Sequence, residues 1–301
     1  PSGLVRFDSA GDAEGGAVDD VALLAAPACL APDASGQTPA AALAELPAVH
    51  DLLLAHARRQ PGRTLERFAL LDAGPAATTA ELLALRARLD ARCGALLHPW
   101  LQVPGGLAGT AAPRLPPSAA VAGLIARVDQ ARGIWKAPAG EALRSATGLA
   151  RTLSRPDQVT LGGAGIDLLI DANTRGRVLW GARTLASDPE WRYLHITRGM
   201  ASLQATIERS LGWAVFEPND EALWARVRAS IESLLLGLWR AGAFQGQKPE
   251  EACFVRCDRS TMTQADLDAG RLIVQVGVAP IRPAEFVLMR VGVQVGTQAG
   301  M

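Results

Sequence analysis

Apolar positions along the first half of this chain come as short unbroken runs separated by longer stretches of helical spacing. Val21–Ala26 (VALLAA) is an apolar run ended by Pro27, the pattern of a strand buried on both faces. From Ala40 to Gln60 the spacing is helical and stops at Pro61–Gly62. Arg67–Leu71 (RFALL) is a second strand. Thr78 or Thr79 caps a helix running to Arg92, with Leu82, Leu85 and Leu89 on one face. Ala95–Leu97 is a third strand. Strand, helix, strand, helix, strand predicts a parallel sheet with crossover helices. Residues 98–117, rich in Pro and Gly, read as loop. Ser118 then caps a helix through Arg132, with Val121, Ile125 and Val128 inward and Gly133 as its stop. Ile134–Pro138 is a short connector, residues 141–175 are mixed, and Ile166–Ile170 fits a strand.

The stretch from Gly176 to Asp220 passes from one α/β unit to the next. It reads as a strand at Arg177–Trp180, a polar turn at Ser187–Pro189, and a second alternating run at Trp191–Ile196. A helix over Arg198–Leu211, a strand at Trp213–Phe216 and a cap near Asn219 follow. Asp220–Ala241 is the longest predicted helix. Its stripe of Leu223, Val227, Ile231, Leu234, Leu235 and Leu238 marks one buried side. Cys253–Cys257 is extended, and Thr263 with Asp266 forms a capping box for a short helix ending at Gly270. Two alternating runs close the chain, Leu272–Val278 and Phe286–Val295, joined through Pro280–Pro283.

Composition sharpens this picture in two ways. Lys+Arg and Asp+Glu both number 30, so the formal net charge is zero. A general nucleic-acid binder needs a basic excess, so that class is excluded, while close self-association meets no overall repulsion. No apolar run reaches the length of a membrane span and no signal peptide opens the chain, so synthesis in a reducing cytoplasm is expected.

The residues that could carry chemistry do not assemble into a known pattern. Cys253 and Cys257, on an extended segment, would be about 13 Å apart, too far to share one ion. The Gly162–Gly165 cluster lacks the third Gly of a dinucleotide fingerprint, and Gly242–Lys248 has the wrong spacing for a phosphate loop. His50, His56, His98 and His195 fall in helix, helix, loop and strand, and none lies beside a serine elbow. Scattered Trp residues read as packing. These observations point away from an enzyme, a metal site or a cofactor, and towards a building block.

Several blocks carry a resemblance. His98–Pro99–Trp100, Pro116–Pro117–Ser118, Gly133–Pro138 (GIWKAP), Gly181–Thr184 (GART), Phe216–Asp220 (FEPND), Cys257–Asp258 and Pro283–Phe286 (PAEF) fall in order and spacing. Together they resemble the contractile tail sheath family of myophages, R-type tailocins and extracellular contractile injection systems. The resemblance covers roughly residues 90–291; the first 90 match only in general pattern.

The resemblance implies an α/β fold: a subtilisin-like, non-catalytic α/β domain followed by an α+β sheath C-terminal domain. The implied division is a flexible start over 1–17 with the N-terminal arm short or missing, the first domain over 18–186, and the second over 187–301. It implies a structural subunit without cofactor, stacked as hexameric rings in a helix around an inner tube, with baseplate and terminator proteins at the ends. No contact with nucleic acid and no membrane insertion are expected. Assembly would occur in the bacterial cytoplasm, before the subunit becomes part of a virion tail or released particle. The alternating end of the chain suits strand exchange between subunits through Phe286, Val287, Leu288, Met289, Arg290, Val291 and Val293. Two helices carry charges suited to a polar, releasable tube contact: Arg198, Glu208 and Arg209 on one, Asp266 and Asp268 on the other.

Overall fold

The computed structural model describes residues 21–30, 38–58, 66–105, 112–144 and 146–283. The predicted start over 1–17 and the run Phe286–Val295 lie outside the described residues. In chain order, β1 (Leu23–Ala25), α1 (Ala40–Ala57), β2 (Phe68–Asp72), α2 (Thr79–Ala87) and β3 (Gly94–His98) come first. Next are β4 (Leu101–Gln102), β5 (Arg114–Leu115), α3 (Ser118–Arg132), β6 (Gly148–Leu149) and α4 (Arg155–Gly163). Then follow β7 (Asp167–Ala172), β8 (Gly176–Trp180), α5 (Leu194–Ser210) and α6 (Glu221–Arg240). The last described elements are α7 (Pro249–Ala252), β9 (Cys253–Arg256), α8 (Gln264–Asp268) and β10 (Gln275–Val278).

The main sheet has the order β1–β2–β3–β7–β8. Its first four strands are parallel, and β8 returns antiparallel to β7. Because side chains alternate across a strand, neighbouring residues of β2 enter different cores. Ala69 and Leu71 join Leu53, Leu54, Leu82 and Leu161 from α1, α2 and α4 on one face. Phe68 and Leu70 join Val121, Leu124 and Ile125 of α3 on the other. Helices on both faces explain why every residue of β2 and β3 is buried and why those runs are apolar without interruption.

Caps place the helix ends. Thr78 and Glu81 form a reciprocal capping box at α2. Gly133 ends α3 with φ of +86°; a Cβ there would strike the indole of Trp135 at 2.4 Å, so only glycine serves.

Four local readings change. Residues 98–117 are not all loop: β4 pairs antiparallel with both β5 and β6 to form a small three-stranded sheet. A helix, α4, begins at Ser154, whose hydroxyl accepts from the Asp157 amide, within the stretch read as mixed. The alternation at Trp191–Ile196 is helix from Leu194 onward, so His195 is helical; only Tyr193 bridges Arg183. Trp213–Phe216 is no strand either. Gly212–Ala214 is a 3-10 turn, and Val215 and Phe216 project into solvent.

The C-terminal unit packs around α6. Leu223, Trp224, Val227, Ile231 and Leu235 form its buried stripe, with Leu234 and Leu238 half-buried beside it. Against this stripe lies the antiparallel pair β9–β10, in register Val255 with Val276 and Phe254 with Gly277.

Candidate assembly interface

The C-terminal edge of a parallel sheet is where α/β proteins place their chemistry. In this chain the described polar side chains at that edge are buried. Asp72, at the end of β2, is 5% exposed; Ser118, at the start of α3, is fully buried. The Ser118 amide donates to Asp72 Oδ1 at 2.9 Å and its hydroxyl to Oδ2 at 2.5 Å. Ser118 therefore is not the cap of α3, a position that Pro117 occupies, but a clamp on the carboxylate. Burial pushes the Asp72 carboxyl up to about 6, with the two Ser118 hydrogen bonds opposing. His98, at the end of β3, is also fully buried. Among the described residues neither ring nitrogen has a hydrogen-bond partner, and burial, with the Arg151 charge second, lowers it to about 4. An aspartate, a histidine and a serine thus meet one sheet edge, with no solvent path to the hydroxyl. Trp100, which donates its indole N–H to the Ala73 carbonyl at 2.7 Å, is 1% exposed in the same region.

Two of the thiols, Cys93 and Cys257, are buried as well. Cys93 is raised to about 11, mainly by burial, and burial also raises Cys253 and Cys257. Among the described residues, no three His, Cys, Asp or Glu side chains come together as metal ligands.

The surfaces tell a different story from the interior. Among the described residues the pair β9–β10 has no third strand, except that Phe244 bridges Pro280 beyond the end of β10. One face of the pair packs on α6 through Val255, Val276 and Val278. The other presents Phe254, which is 53% exposed. Its ring covers Gly277, where a Cβ would lie 2.1 Å from the ring, and the Arg256 guanidinium sits 5.4 Å from the ring centroid. Covering a strand glycine with an aromatic from the opposite strand pins the register of a pair too short to hold it by ladder bonds alone.

The charged residues expected at a partner surface divide. Arg198 is 8% exposed and forms an ion pair with Asp129 of α3, 2.6 Å between Nη2 and Oδ2, so it offers no charge to a partner. Its place in the helical stripe turns it towards the first unit, a direction that spacing within its own helix does not reveal. Asp266 accepts from the Thr263 hydroxyl and amide and from Arg271, which together hold it down at about 2. It serves its own helix cap. Glu208 and Arg209 are exposed at the end of α5, with Glu208 accepting from Gln204 at 3.0 Å. Asp268 is exposed and accepts from Gln264 at 2.8 Å. The strand-exchange residues Phe286, Val287, Leu288, Met289, Arg290, Val291 and Val293 lie outside the described residues. The exposed loop at Trp213–Phe216 has the look of a strand in the sequence because its alternation is bounded by Gly212 on one side and Pro218 on the other.

Comparison with known proteins gives this geometry a context. A model of the phage tail sheath protein central domain matches residues 38–185, and one of the phage tail sheath C-terminal domain matches residues 186–294. A prophage major tail sheath protein of Pseudomonas aeruginosa (strain UCBPP-PA14) is 27% identical over 235 residues, covering 76% of this chain and 58% of its own length. The sheath of an extracellular contractile injection system, PVC, in its contracted state is 33% identical with a TM-score of 0.75, over 92% of this chain and 72% of that one. A chain of the anti-feeding prophage baseplate is 34% identical with a TM-score of 0.71, over 83% of this chain and 65% of that one. The chain therefore spans less than two thirds of the length of two of these relatives.

Proposed function

The chain belongs to the phage tail sheath family, and from that premise we propose that it is a structural subunit of a contractile sheath. It polymerises as stacked hexameric rings around an inner tube, and contraction drives the tube through a target envelope. The observation that carries this reading is the β9–β10 pair, a two-stranded platform without a third strand among the described residues. Two strands alone are marginal in water, and an open edge invites pairing. The segment Phe286–Val293 that follows has the alternation such an edge accepts, so Phe286, Val287, Leu288, Met289, Arg290, Val291 and Val293 are assigned to a neighbour's platform.

The rest of the reading follows from what is accessible. The tube must be gripped and released, which favours a modest, charged contact, and Glu208, Arg209 and Asp268 are the exposed candidates for it. The first unit is read as a subtilisin-like domain spanning 18–186 whose buried Asp72, His98 and Ser118 serve packing, not proteolysis, and the second as the sheath C-terminal domain over 187–301. Baseplate and terminator proteins would meet the ends of the stack, and the assembled particle would leave the cytoplasm in which it was made. Energy for contraction would reside in interfaces with two arrangements, not in a catalytic step.

The test is negative-stain microscopy of the full chain and its Val291→Pro variant. Proline removes a ladder donor and fixes φ. The unsubstituted chain should form hollow tubes; the variant should stay folded and soluble but unpolymerised. A variant that polymerises normally removes strand exchange from the reading. A variant that unfolds as an isolated subunit shows that the strand belongs to its own fold.

A further inference from the structure

Phe216 is fully exposed at 101%, beside Val215 at 61% and Trp213 at 39%. Its φ is +71°, a left-handed conformation that a bulky L-residue adopts only under constraint. The constraint is visible. The Arg226 guanidinium lies 4.6 Å from the Trp213 ring centroid and pairs with Glu217 at 3.2 Å. Asn219 accepts from the Trp224 indole N–H at 2.7 Å and donates to the Arg271 carbonyl at 3.3 Å. The loop is braced from both sides and holds an aromatic ring in water, where it packs on none of the described residues' cores.

The same chain carries a receptor of matching chemistry. An apolar cavity of about 90 Å³ opens between α5 and α6, lined among others by Trp135, Met200, Leu203, Leu234 and Phe244. The cavity lining runs along α5 from His195 to Thr206, so about 6 Å of helix separates it from Ser210, the end of α5 that leads into the Phe216 loop. Within the subunit the Phe216 ring is fully exposed and stays out of this cavity. Charge agrees with the pairing. Phe216 is flanked by Glu217 and Glu221, whose side chains are 42% and 79% exposed. Near the cavity in sequence are Lys136, next to the lining Trp135, and Arg132; Arg132 pairs with Glu141 at 3.6 Å and Glu221 with Arg259 at 3.8 Å, exposed pairs that a second copy would exchange for its own.

We propose that Phe216 of one copy of this chain seats in the α5–α6 cavity of a second copy, with Glu217 and Glu221 facing the second copy's Lys136 and Arg132. A projection and a pocket on different parts of one surface make a head-to-tail contact, which closes into a ring or continues as a helix. A buried aromatic anchor is also the usual energetic centre of an interface. The inference rests on the sheath reading but adds a contact separate from strand exchange.

The experiment replaces Phe216 with photo-reactive p-benzoylphenylalanine in the full chain, assembled with tube protein from mixed light and heavy isotope pools. Crosslinked peptides are then mapped by mass spectrometry. Crosslinks should fall on Met200 or Leu203 and join light to heavy chains. Tubes that form with crosslinks to the tube protein, to another surface, or to nothing overturn this contact and leave the sheath reading intact. Absence of tubes from the unsubstituted chain overturns both. In parallel, Phe216→Ser should leave the melting temperature of the isolated subunit unchanged and raise the concentration needed for assembly at least tenfold; an unchanged assembly threshold counts against the proposal.

Discussion

Asp72 supplies a prediction whose size can be worked from the structure. Its carboxyl is raised from 3.8 to about 6, chiefly by burial, while Ser118 donates two hydrogen bonds to it. A shift of about two units corresponds to on the order of 3 kcal/mol. Because the folded value lies above the unfolded one, the group's contribution is complete below pH about 4 and is lost as pH rises through about 6. Between pH 7.5 and pH 5 the chain should gain about 1.4 kcal/mol of unfolding free energy from this group alone. Asp72→Asn is nearly isosteric. Its carbonyl can still accept from the Ser118 amide, and its amide can donate to the Ser118 oxygen. The variant should lack that gain, so that the stability difference between the two proteins changes by about 1.4 kcal/mol between pH 7.5 and pH 5. Urea unfolding followed by Trp fluorescence, at concentrations where subunits stay unassembled, measures it. Parallel pH profiles for the two proteins would refute the assignment of a raised, buried carboxyl at this position.

Other expectations follow from burial and charge. Leu235 is fully buried on α6, and Leu235→Ala should cost about 2–5 kcal/mol in the same assay. Asp129→Ala strands the Arg198 guanidinium, itself 8% exposed, and should cost on the order of 3 kcal/mol, whereas changing the exposed Arg209 should cost under about 0.5 kcal/mol. Reversing Glu208, Arg209 and Asp268 together should leave the melting curve unchanged and abolish co-assembly with the tube; tube-filled particles from this variant would remove the charged contact.

What the sequence shows of the fold depends on how local the cause is. The strands β2 and β3 were readable because both faces are covered and their apolar runs are unbroken. The capping box of Thr263 with Asp266 was readable because its reciprocal bonds lie within three residues; at α2 the sequence left the cap open between Thr78 and Thr79, and the structure places it at Thr78 with Glu81. Where the partner is distant, the reading failed. Ser118 has the residue type of a cap, but its partner Asp72 lies 46 residues earlier. Arg198 has the look of a surface charge, but Asp129 lies 69 residues away. The alternation of Trp191–Ile196 and of Trp213–Phe216 mimics strands because a short helix start and an exposed loop can place apolar residues at even spacing by chance. The family itself was legible because it depends on many small blocks in order, not on any one of them, and the matched domains cover the residues that carried it.

The seam between the two matched regions carries a mechanical consequence. Thr184 donates its amide to the Arg192 carbonyl at 2.7 Å, Leu194 to the Ala182 carbonyl at 2.9 Å, and Arg198 is riveted to Asp129. A pull applied to the C-terminal unit therefore enters the main sheet through α3 and β8 at several points instead of stretching a single tether. In the proposed sheath these ties would make the two regions turn together instead of hinging at one point. In the proposed stack, compliance would then sit between neighbours, and a shape change started at one end would pass from ring to ring without melting the subunits it passes through.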